Sequence, residues 1–281
     1  VASRSLHIAL FSRVRRAQAI KESYYSEVWA GLFTAAADLG HTVTSVYLPR
    51  HEEMAAVSRT LEEMPVNGGI LLGVPYRDVT EAMIATGLPL VLADHHFADL
   101  DVDYVDLDSE QGARKAVLHL AGMGHRRIGF MNNSNPSYNP DRLRGFKRGM
   151  TEAGLEVDED WMLRGMPNEE GGFAVARELA RSRRELPTAF VTHGGTMAVG
   201  AVVGFRSEGL QVPGDVSVVG CGNRWFTEMY PWVTSVIADA YQLGTEAVRC
   251  LVERVDAPDS PGRSVLVPME LIEGQTAGPP A

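Results

Sequence analysis

The amino-acid sequence predicts an α/β fold with doubly wound parallel sheets, divided between two lobes. Short runs of consecutive apolar residues recur along the chain, and amphipathic segments with helical periodicity lie between them. Apolar residues at consecutive positions are typical of strands buried on both faces, as in a parallel sheet. Strands that alternate with helices indicate βαβ units. The length of 281 residues exceeds the size at which one hydrophobic core usually stops growing, so two lobes are expected.

Seven apolar runs are predicted to form strands. They are residues 6–11, 42–48, 68–74, 88–94, 126–131, 187–193 and 215–220. Core packing explains the apolar side chains of every run, so function is expected in the loops. In an open parallel sheet, ligands bind beyond the carboxyl ends of the strands, which makes the loops after these runs the candidates.

Three segments between the runs show helical periodicity. In SYYSEVWAGLFTAAADLGH, Val28 and Leu32 fall at helical spacing, and Gly40 suits the position just after a helix end. DSEQGARKAVLHLAGMGH and TMAVGAVVGFRSEGL follow the same pattern and also contain glycine near their ends. Each segment is therefore predicted to form a helix that packs on a sheet.

Composition and charge argue against several classes of function. Lysine and arginine total 26 against 36 aspartates and glutamates, a net charge of −10, which makes the chain as a whole a poor binder of polyanions. Cys221 and Cys250 form neither a CxxC pair nor a disulfide framework. No apolar run approaches the roughly 20 residues of a membrane span, and the first residues lack a signal-peptide core. We predict a cytoplasmic protein without membrane contact, although a mature secreted chain would have the same composition.

Sequence motifs of catalysis and metal binding are missing. GxSxG, Walker and HExxH motifs do not occur, and the glycines of HGGTMAVG do not have GxGxxG spacing. Asp94, His95 and His96 are adjacent, but neighbouring side chains at a strand end diverge and a chelate would need a further ligand. We therefore predict no enzymatic activity, no cofactor and no metal.

Four longer motifs, in chain order, resemble the effector-sensing domain of the lactose-repressor/galactose-repressor (LacI/GalR) family of bacterial transcription regulators. They are VDLDSEQGARKAVLHLAGMGHRRIGFM, DRLRGFKRGMTEAGL, PTAFVTHGGTMAVGAVVGFRSEGLQVPGDVSVVG and PWVTSV. VPMELIEGQT is similar to the last strand of the family. The resemblance runs from about Leu6 to about Thr276 and so covers nearly the whole chain.

The resemblance implies a periplasmic-binding-protein-like fold of type I, in which three crossovers join two Rossmann-like lobes. The first lobe is expected at residues 1–105 plus 237–262 and the second at residues 106–236 plus 263–281. Members of the family bind a small-molecule effector between the lobes, form homodimers and contact operator DNA through an N-terminal helix-turn-helix headpiece. We expect that headpiece to be absent here, so that the chain is the sensor alone.

Three matches to the family's effector site can be named. Tyr24 and Tyr25 match an aromatic pair, Asp94 matches a carboxylate at the end of the fourth strand, and Arg142 matches an arginine from the second lobe. By resemblance they supply an aromatic floor, an acceptor for hydroxyl groups and a forked donor.

Other positions depart from the family pattern. Gly194 and Gly195 stand where Asn-Asp is usual, and Gly222 replaces an acid after DVSVVG. Pro167 and Ala240 stand where the family often has aromatic residues. A polar site that loses its partners discriminates against its original ligand. A standard hexose effector is therefore not expected.

The remaining side chains favour an effector with a carboxylate or phosphate. Arg13 from the first loop, with Arg142 and Arg224 from the second lobe, offers guanidinium groups for such an anion. His193 and Asn223 each end a strand and are further candidate contacts. The other basic residues of the first loop are Arg15, Arg16 and Lys21.

Three alternatives stay open. The loop arginines are alternatively solvated side chains without a ligand. The cleft alternatively binds nothing, or a protein, with Trp225, Tyr230 and Trp232 filling the space that the glycines leave. A solute-binding protein of an ABC transporter shares the two-lobed design and is the main rival to a regulator.

Overall fold

The computed structural model describes residues 5–13, 23–48, 53–135, 140–182 and 185–281. The chain divides into two compact units, and each contains a six-stranded sheet with helices. The α/β fold with parallel sheets that the sequence predicts is confirmed. In the part of the chain that the structure describes, no helix is both long and apolar enough to cross a membrane.

The first unit comprises Val1–Leu107 and Asp239–Val267. Its strands are β1 (His7–Ser12), β2 (Thr42–Tyr47), β3 (Gly68–Leu72), β4 (Leu90–Ala93), β5 (Asp103–Leu107) and β11 (Ser264–Val267). Its helices are α1 (Ser23–Asp38), α2 (Glu53–Glu63), α3 (Arg77–Ala85) and α9 (Ala240–Asp256). The strand order is β11-β5-β4-β3-β1-β2, with every pair parallel.

The second unit comprises Asp108–Ala238 and Pro268–Ala281. Its strands are β6 (Ile128–Asn133), β7 (Met162–Gly165), β8 (Ala189–Thr192), β9 (Ser217–Asn223), β10 (Ser235–Ala238) and β12 (Met269–Ile272). Its helices are α4 (Ser109–Gly122), α5 (Pro140–Glu152), α6 (Glu169–Arg181), α7 (Gly195–Ser207) and α8 (Arg224–Met229). The strand order is β12-β10-β9-β8-β6-β7, and only β12 is antiparallel to its neighbour.

All seven apolar runs that predict strands contain one, namely β1 to β4, β6, β8 and β9. Five strands lie outside these runs, namely β5, β7, β10, β11 and β12, of which β10 and β12 overlap the motifs PWVTSV and VPMELIEGQT. β5 is almost entirely buried although its sequence, DYVDL, carries Asp103 and Asp106. β7 is a four-residue strand at the edge of its sheet and is only partly buried. Neither strand is a continuous apolar run, which explains why both were missed.

The chain passes between the units three times, after Leu107, after Ala238 and after Val267. The third crossing follows Val267, whereas the sequence predicts it after residue 262, with residues 263–281 in the second lobe. β11 instead pairs in parallel with β5, with Ser264 opposite Tyr104, and so extends the sheet of the first unit.

Helices in both units pack with their backbones in contact, which requires glycine. A Cβ atom on Gly200 of α7 would overlap the carbonyl oxygen of Glu169 in α6. Similarly, a Cβ atom on Gly244 of α9 would overlap the carbonyl oxygen of Val28 in α1. These contacts fix the positions of the helices that frame each sheet.

Replacement of Gly200 by alanine is expected to destabilise the second unit by about 1–3 kcal/mol, because the added methyl group overpacks a rigid backbone contact. Urea denaturation followed by circular dichroism measures the loss. Gly122→Ala is the matched control, since nothing lies within 4 Å of a Cβ atom built at that helical glycine. The control is expected to leave stability unchanged or raise it slightly. Equal losses from both variants would contradict the close helix contact.

Candidate functional site

The candidate residues lie near the carboxyl ends of strands and form one cluster in each unit. The first cluster comprises Tyr24, Tyr25, Gly73 and Asp94 of the first unit. The second cluster comprises side chains at the ends of β8 and β9 and the helices beside them. Its members are Arg142, His193, Cys221, Gly222, Asn223 and Phe226.

Asp94 is the centre of the first cluster. Its backbone lies in the left-handed region, with φ of 61°, where aspartate is one of the more tolerated residues. Tyr24 donates a short hydrogen bond to Oδ1 of Asp94, and Tyr25 donates one of 3.2 Å to Oδ2. Burial, followed by the negative charge of Asp94, raises the pKa of Tyr24 well above 10.0. Both carboxylate oxygens therefore accept a hydrogen bond from a tyrosine hydroxyl.

Gly73 leaves space for the Tyr25 hydroxyl beside Asp94, and it is not among the residues predicted from the sequence. Its φ is 62°, and a Cβ atom there would lie 2.8 Å from the hydroxyl oxygen of Tyr25. Its amide donates a 2.9 Å hydrogen bond to the carbonyl of Ala93, the residue before Asp94. The glycine that ends the buried run GGILLG was the available signal.

The adjacent residues Asp94, His95 and His96 take different partners, as expected for neighbours at a strand end. The Nδ1 atom of His96 lies 2.7 Å from Oδ2 of Asp106, and the His96 ring stacks on Tyr104 at 4.5 Å between centroids. His95 packs edge-on against Phe97. Among the described residues, no group of three or more His, Cys, Asp or Glu side chains is placed to hold a metal ion.

Arg13 directly follows β1. Its guanidinium carbon is 4.5 Å from the centroid of the Tyr76 ring, within the range of a cation–π contact. The Arg13 head group is therefore positioned by an aromatic ring in its own unit. Arg15, Arg16 and Lys21 lie outside the described residues.

Arg142 is the charged centre of the second cluster. It projects from α5, is partly buried, and its Nη1 atom donates to the carbonyl oxygen of His193 at the end of β8. The His193 side chain is almost completely buried. Burial, and then the positive charge of Arg142, lower the pKa of His193 to about 3. Burial raises the pKa of Cys221. Only Arg142 in this group carries a charge at neutral pH.

Asn223 and Arg224 mark the start of α8. The Asn223 side chain is buried and its Oδ1 atom accepts a 3.0 Å hydrogen bond from the amide of Phe226, so it caps the helix. Arg224 is the first residue of that helix and is exposed. The structure thus places Asn223 as a structural cap and leaves the Arg224 side chain at the surface.

Phe226 fills the space that two of the family departures leave. A Cβ atom on Gly195 or on Gly222 would lie 2.8 Å from its ring, which is 4% exposed. In one of the alternatives left open by the sequence, Trp225, Tyr230 and Trp232 fill this space, but Trp225 is 40% exposed. Phe226 was not predicted from the sequence, because its role depends on Gly222 in β9 and Gly195 at the start of α7.

The other departures from the family pattern do not share this role. No atom lies within 4 Å of a Cβ atom built at Gly194, so that position borders open space. Pro167 is exposed between β7 and α6. Ala240 is fully buried at the start of α9 in the first unit.

The two clusters have different chemistry. The first presents phenols around a carboxylate, which suits contact with hydroxyl groups. The second presents one guanidinium among neutral or apolar side chains, which suits pairing with an anionic oxygen.

Comparison with known protein families matches a large part of the chain. A family model described as a periplasmic binding protein-like domain matches residues 117–277. The HTH-type transcriptional repressor PurR of Actinobacillus pleuropneumoniae serotype 3 (strain JL03) is 32% identical over 193 residues, which are 68% of this chain and 57% of that protein. The aligned region therefore spans little more than half the length of this relative.

Solved structures match nearly the entire chain. The transcriptional regulator CelR, in complex with cellobiose, has a TM-score of 0.85 and 25% identity, covering 98% of this chain and 86% of that one. A LacI family transcriptional regulator from Mycobacterium smegmatis has a TM-score of 0.81 and 25% identity, covering 98% and 100% of the two chains. These relatives are transcription regulators and not solute carriers.

Proposed function

We propose that this chain, which belongs to the LacI/GalR family as its periplasmic-binding-protein-like effector domain, senses a small metabolite that carries a carboxylate or phosphate. Binding would change how the regulator that contains this domain engages operator DNA. The observation that carries the proposal is the position of Arg142, the one charged group of the second cluster, at the carboxyl end of β8.

The balance of charge in the second cluster supports an anion. Gly195 and Gly222 supply no side-chain carboxylate or side-chain amide, and the Phe226 ring fills the space beside them. His193 is neutral above its lowered pKa of about 3, so it adds no competing charge. A guanidinium in such surroundings binds carboxylate or phosphate with two parallel hydrogen bonds. CelR, by contrast, binds the neutral sugar cellobiose in its structure.

The first cluster supports a hydroxylated ligand. The hydroxyl groups of Tyr24 and Tyr25 donate to Asp94, and their oxygens retain lone pairs that accept hydrogen bonds. A sugar phosphate or a hydroxy acid carries both an anionic group and hydroxyl groups. We propose this class of compound as the effector.

The proposed signal is a shift between conformational states. An effector can move that balance only by its difference in affinity for the two states, and such coupling is typically about 1–3 kcal/mol. PurR is a helix-turn-helix repressor. We propose that the regulator of which this domain is part also reads an operator, as a homodimer whose two-fold symmetry matches a palindromic site.

Replacement of Arg142 by alanine is expected to weaken binding of an anionic effector by about 1.5–3 kcal/mol, because a charge-assisted hydrogen bond is lost. Isothermal titration calorimetry with ribose 5-phosphate, glucose 6-phosphate and citrate, beside ribose and glucose, measures the effect. The wild-type protein is expected to bind at least one of the anionic probes and to bind it more tightly than either neutral sugar.

Arg148→Ala is the matched control for this test. Arg148 lies on the same helix and pairs with Glu110 at 3.0 Å, but its side chain is 65% exposed. Its removal is expected to leave the affinity for the anionic probes unchanged. Preferential binding of the neutral sugars, or equal affinities of Arg142→Ala and wild type, would overturn the proposal.

A further inference from the structure

The ring of Phe226 stands against two glycines from separate strand ends. The base of the ring lies against Gly222, where an added Cβ atom would be 2.8 Å from Cδ1. Its far edge lies against Gly195, where an added Cβ atom would be 2.8 Å from Cε1, Cε2 and Cζ. Real Cβ atoms do not approach other atoms so closely, so side chains at 195 and 222 and the ring at 226 exclude one another.

The segment that carries the ring is fixed at both ends. At its start, Asn223 caps α8 through the amide of Phe226 itself. Beyond its end, the Tyr230 hydroxyl donates a 3.0 Å hydrogen bond to Glu169 at the start of α6, and the rings of Tyr230 and Phe226 are 5.2 Å apart. The ring is therefore a built part of the second unit and not a mobile side chain.

Both glycines lie close in the chain to residues of the second cluster. Gly195 is two residues after His193, whose carbonyl accepts from Arg142, and Gly222 directly follows Cys221, on which the charge of Arg142 acts. Positions 195 and 222 therefore present no polar side chain at this end of the sheet, and the carbon atoms of the Phe226 ring occupy that space.

We propose that Phe226 is a specificity-determining residue of this half of the site. It occupies the space in which a side chain at 195 or 222 would accept hydrogen bonds from sugar hydroxyls, and it thereby disfavours neutral polyhydroxylated ligands. The proposal deepens the proposed function and rests on the second cluster being a ligand site. The mutual exclusion of ring and side chains can be tested without any ligand.

The first experiment is a set of thermal-denaturation cycles. Gly222→Ala and Gly195→Ala are each expected to lower the Tm by about 5 °C in the wild-type background. Phe226→Ala is expected to lower it by roughly 10 °C and to abolish the further loss from either glycine variant. Gly194→Ala is the matched control at the same strand end and is expected to leave the Tm unchanged in both backgrounds.

Phe226→Leu keeps the test decisive if Phe226→Ala does not fold. Leucine retains carbon near the base of the ring but lacks its far edge. It is therefore expected to relieve the loss from Gly195→Ala and to retain the loss from Gly222→Ala. Additive Tm losses in every background would show that the ring does not exclude side chains at 195 and 222, and would overturn the proposal.

The second experiment measures ligand selectivity. The double variant Gly222→Asp/Phe226→Ala places a carboxylate in the vacated space, where it can accept hydroxyl hydrogen bonds. Calorimetry is expected to show affinity for ribose or glucose at least tenfold higher than for Phe226→Ala alone. Ribose 5-phosphate is expected to bind more weakly to the double variant than to Phe226→Ala, because the new carboxylate opposes the phosphate.

The two proposals fail in different ways. If the wild-type protein binds none of the anionic probes, the proposed effector class is wrong, whereas a gain of neutral-sugar binding by the double variant still supports the role of Phe226. If wild type binds an anion through Arg142 but the double variant gains no neutral sugar, the proposed function stands and the role of Phe226 is wrong.

Discussion

Replacement of Arg254 by alanine is expected to destabilise the first unit by about 3–5 kcal/mol, the usual cost of leaving one partner of a buried ion pair behind. Nε and Nη2 of Arg254 donate to the two carboxylate oxygens of Asp103 at 2.7 and 2.6 Å. The two side chains are only 13% and 3% exposed. Without the guanidinium, the buried Asp103 carboxylate loses both of these hydrogen bonds and retains the one from the amide of Arg263.

The same guanidinium also organises the turn between α9 and β11. It donates to the carbonyl oxygens of Pro258, Ser260 and Pro261. Because that turn leads into the strand that pairs with β5, loss of Arg254 is expected to loosen one edge of the first sheet as well as the ion pair.

Hydrogen exchange followed by mass spectrometry measures this loss unit by unit. In Arg254→Ala, protection is expected to fall in peptides from β4, β5 and α9 and to stay unchanged in peptides from β6 and β8. Arg249→Ala is the matched control, since Arg249 lies on the same helix and its pair with Glu246 involves an arginine that is 58% exposed. An exposed pair contributes at most about 1 kcal/mol. Equal loss of protection in the two variants would contradict the role of the buried pair.

Asp103 also explains which parts of the fold the sequence predicts. Continuous apolar runs predict strands because each residue can be judged from its immediate neighbours. β5 fails that criterion because two of its five residues are aspartates. Partners elsewhere in the chain stabilise these side chains in the folded protein, Arg254 for Asp103 and His96 for Asp106. A buried acid is recognisable as such only when its partner is known. The strand was therefore missed although it lies within the sheet.

In the candidate site, too, some features can be predicted from neighbouring residues, whereas others depend on residues that are distant in the chain. Strand ends can be predicted from the sequence, and Asp94, His193 and Asn223 do follow or end predicted strands. The fit of Phe226 against Gly195 and Gly222 was not foreseen, because it depends on three segments that meet only in the folded unit. The cap at Asn223 was available from the sequence, since asparagine directly before a helix is a frequent first-turn acceptor.

The stability of the second unit is expected to fall as the pH drops below about 6.5, with His193 as the largest single contributor. Its pKa is lowered from 6.5 to about 3, first by burial and then by the charge of Arg142. In the unfolded chain the imidazole takes up a proton near pH 6.5, whereas the folded chain resists protonation until about pH 3. Acid therefore favours the unfolded state, by about 1.4 kcal/mol for each pH unit in this window.

The pH range in which His193 affects stability differs from the range in which the acidic side chains do. Burial also lowers the pKa values of His119 and His125, which add loss of the same sign. The pKa values of Glu110, Glu152 and Glu208 are lowered from 4.5 by arginine partners, so the stability that these carboxylates contribute is lost only at lower pH. Between pH 6.5 and 5 the histidines dominate.

Urea denaturation of wild type and His193→Gln at pH 7.5, 6.5, 5.5 and 5.0 tests the assignment. The glutamine variant is expected to be less stable than wild type at pH 7.5 and to lose less as the pH falls, with the difference between the two proteins narrowing by about 2 kcal/mol from pH 7.5 to 5.0. Parallel curves would mean that His193 titrates alike in the folded and unfolded chains. In that case the imidazole at the end of β8 would be open to solvent, and a neutral histidine beside Arg142 could no longer be part of the argument for an anionic ligand.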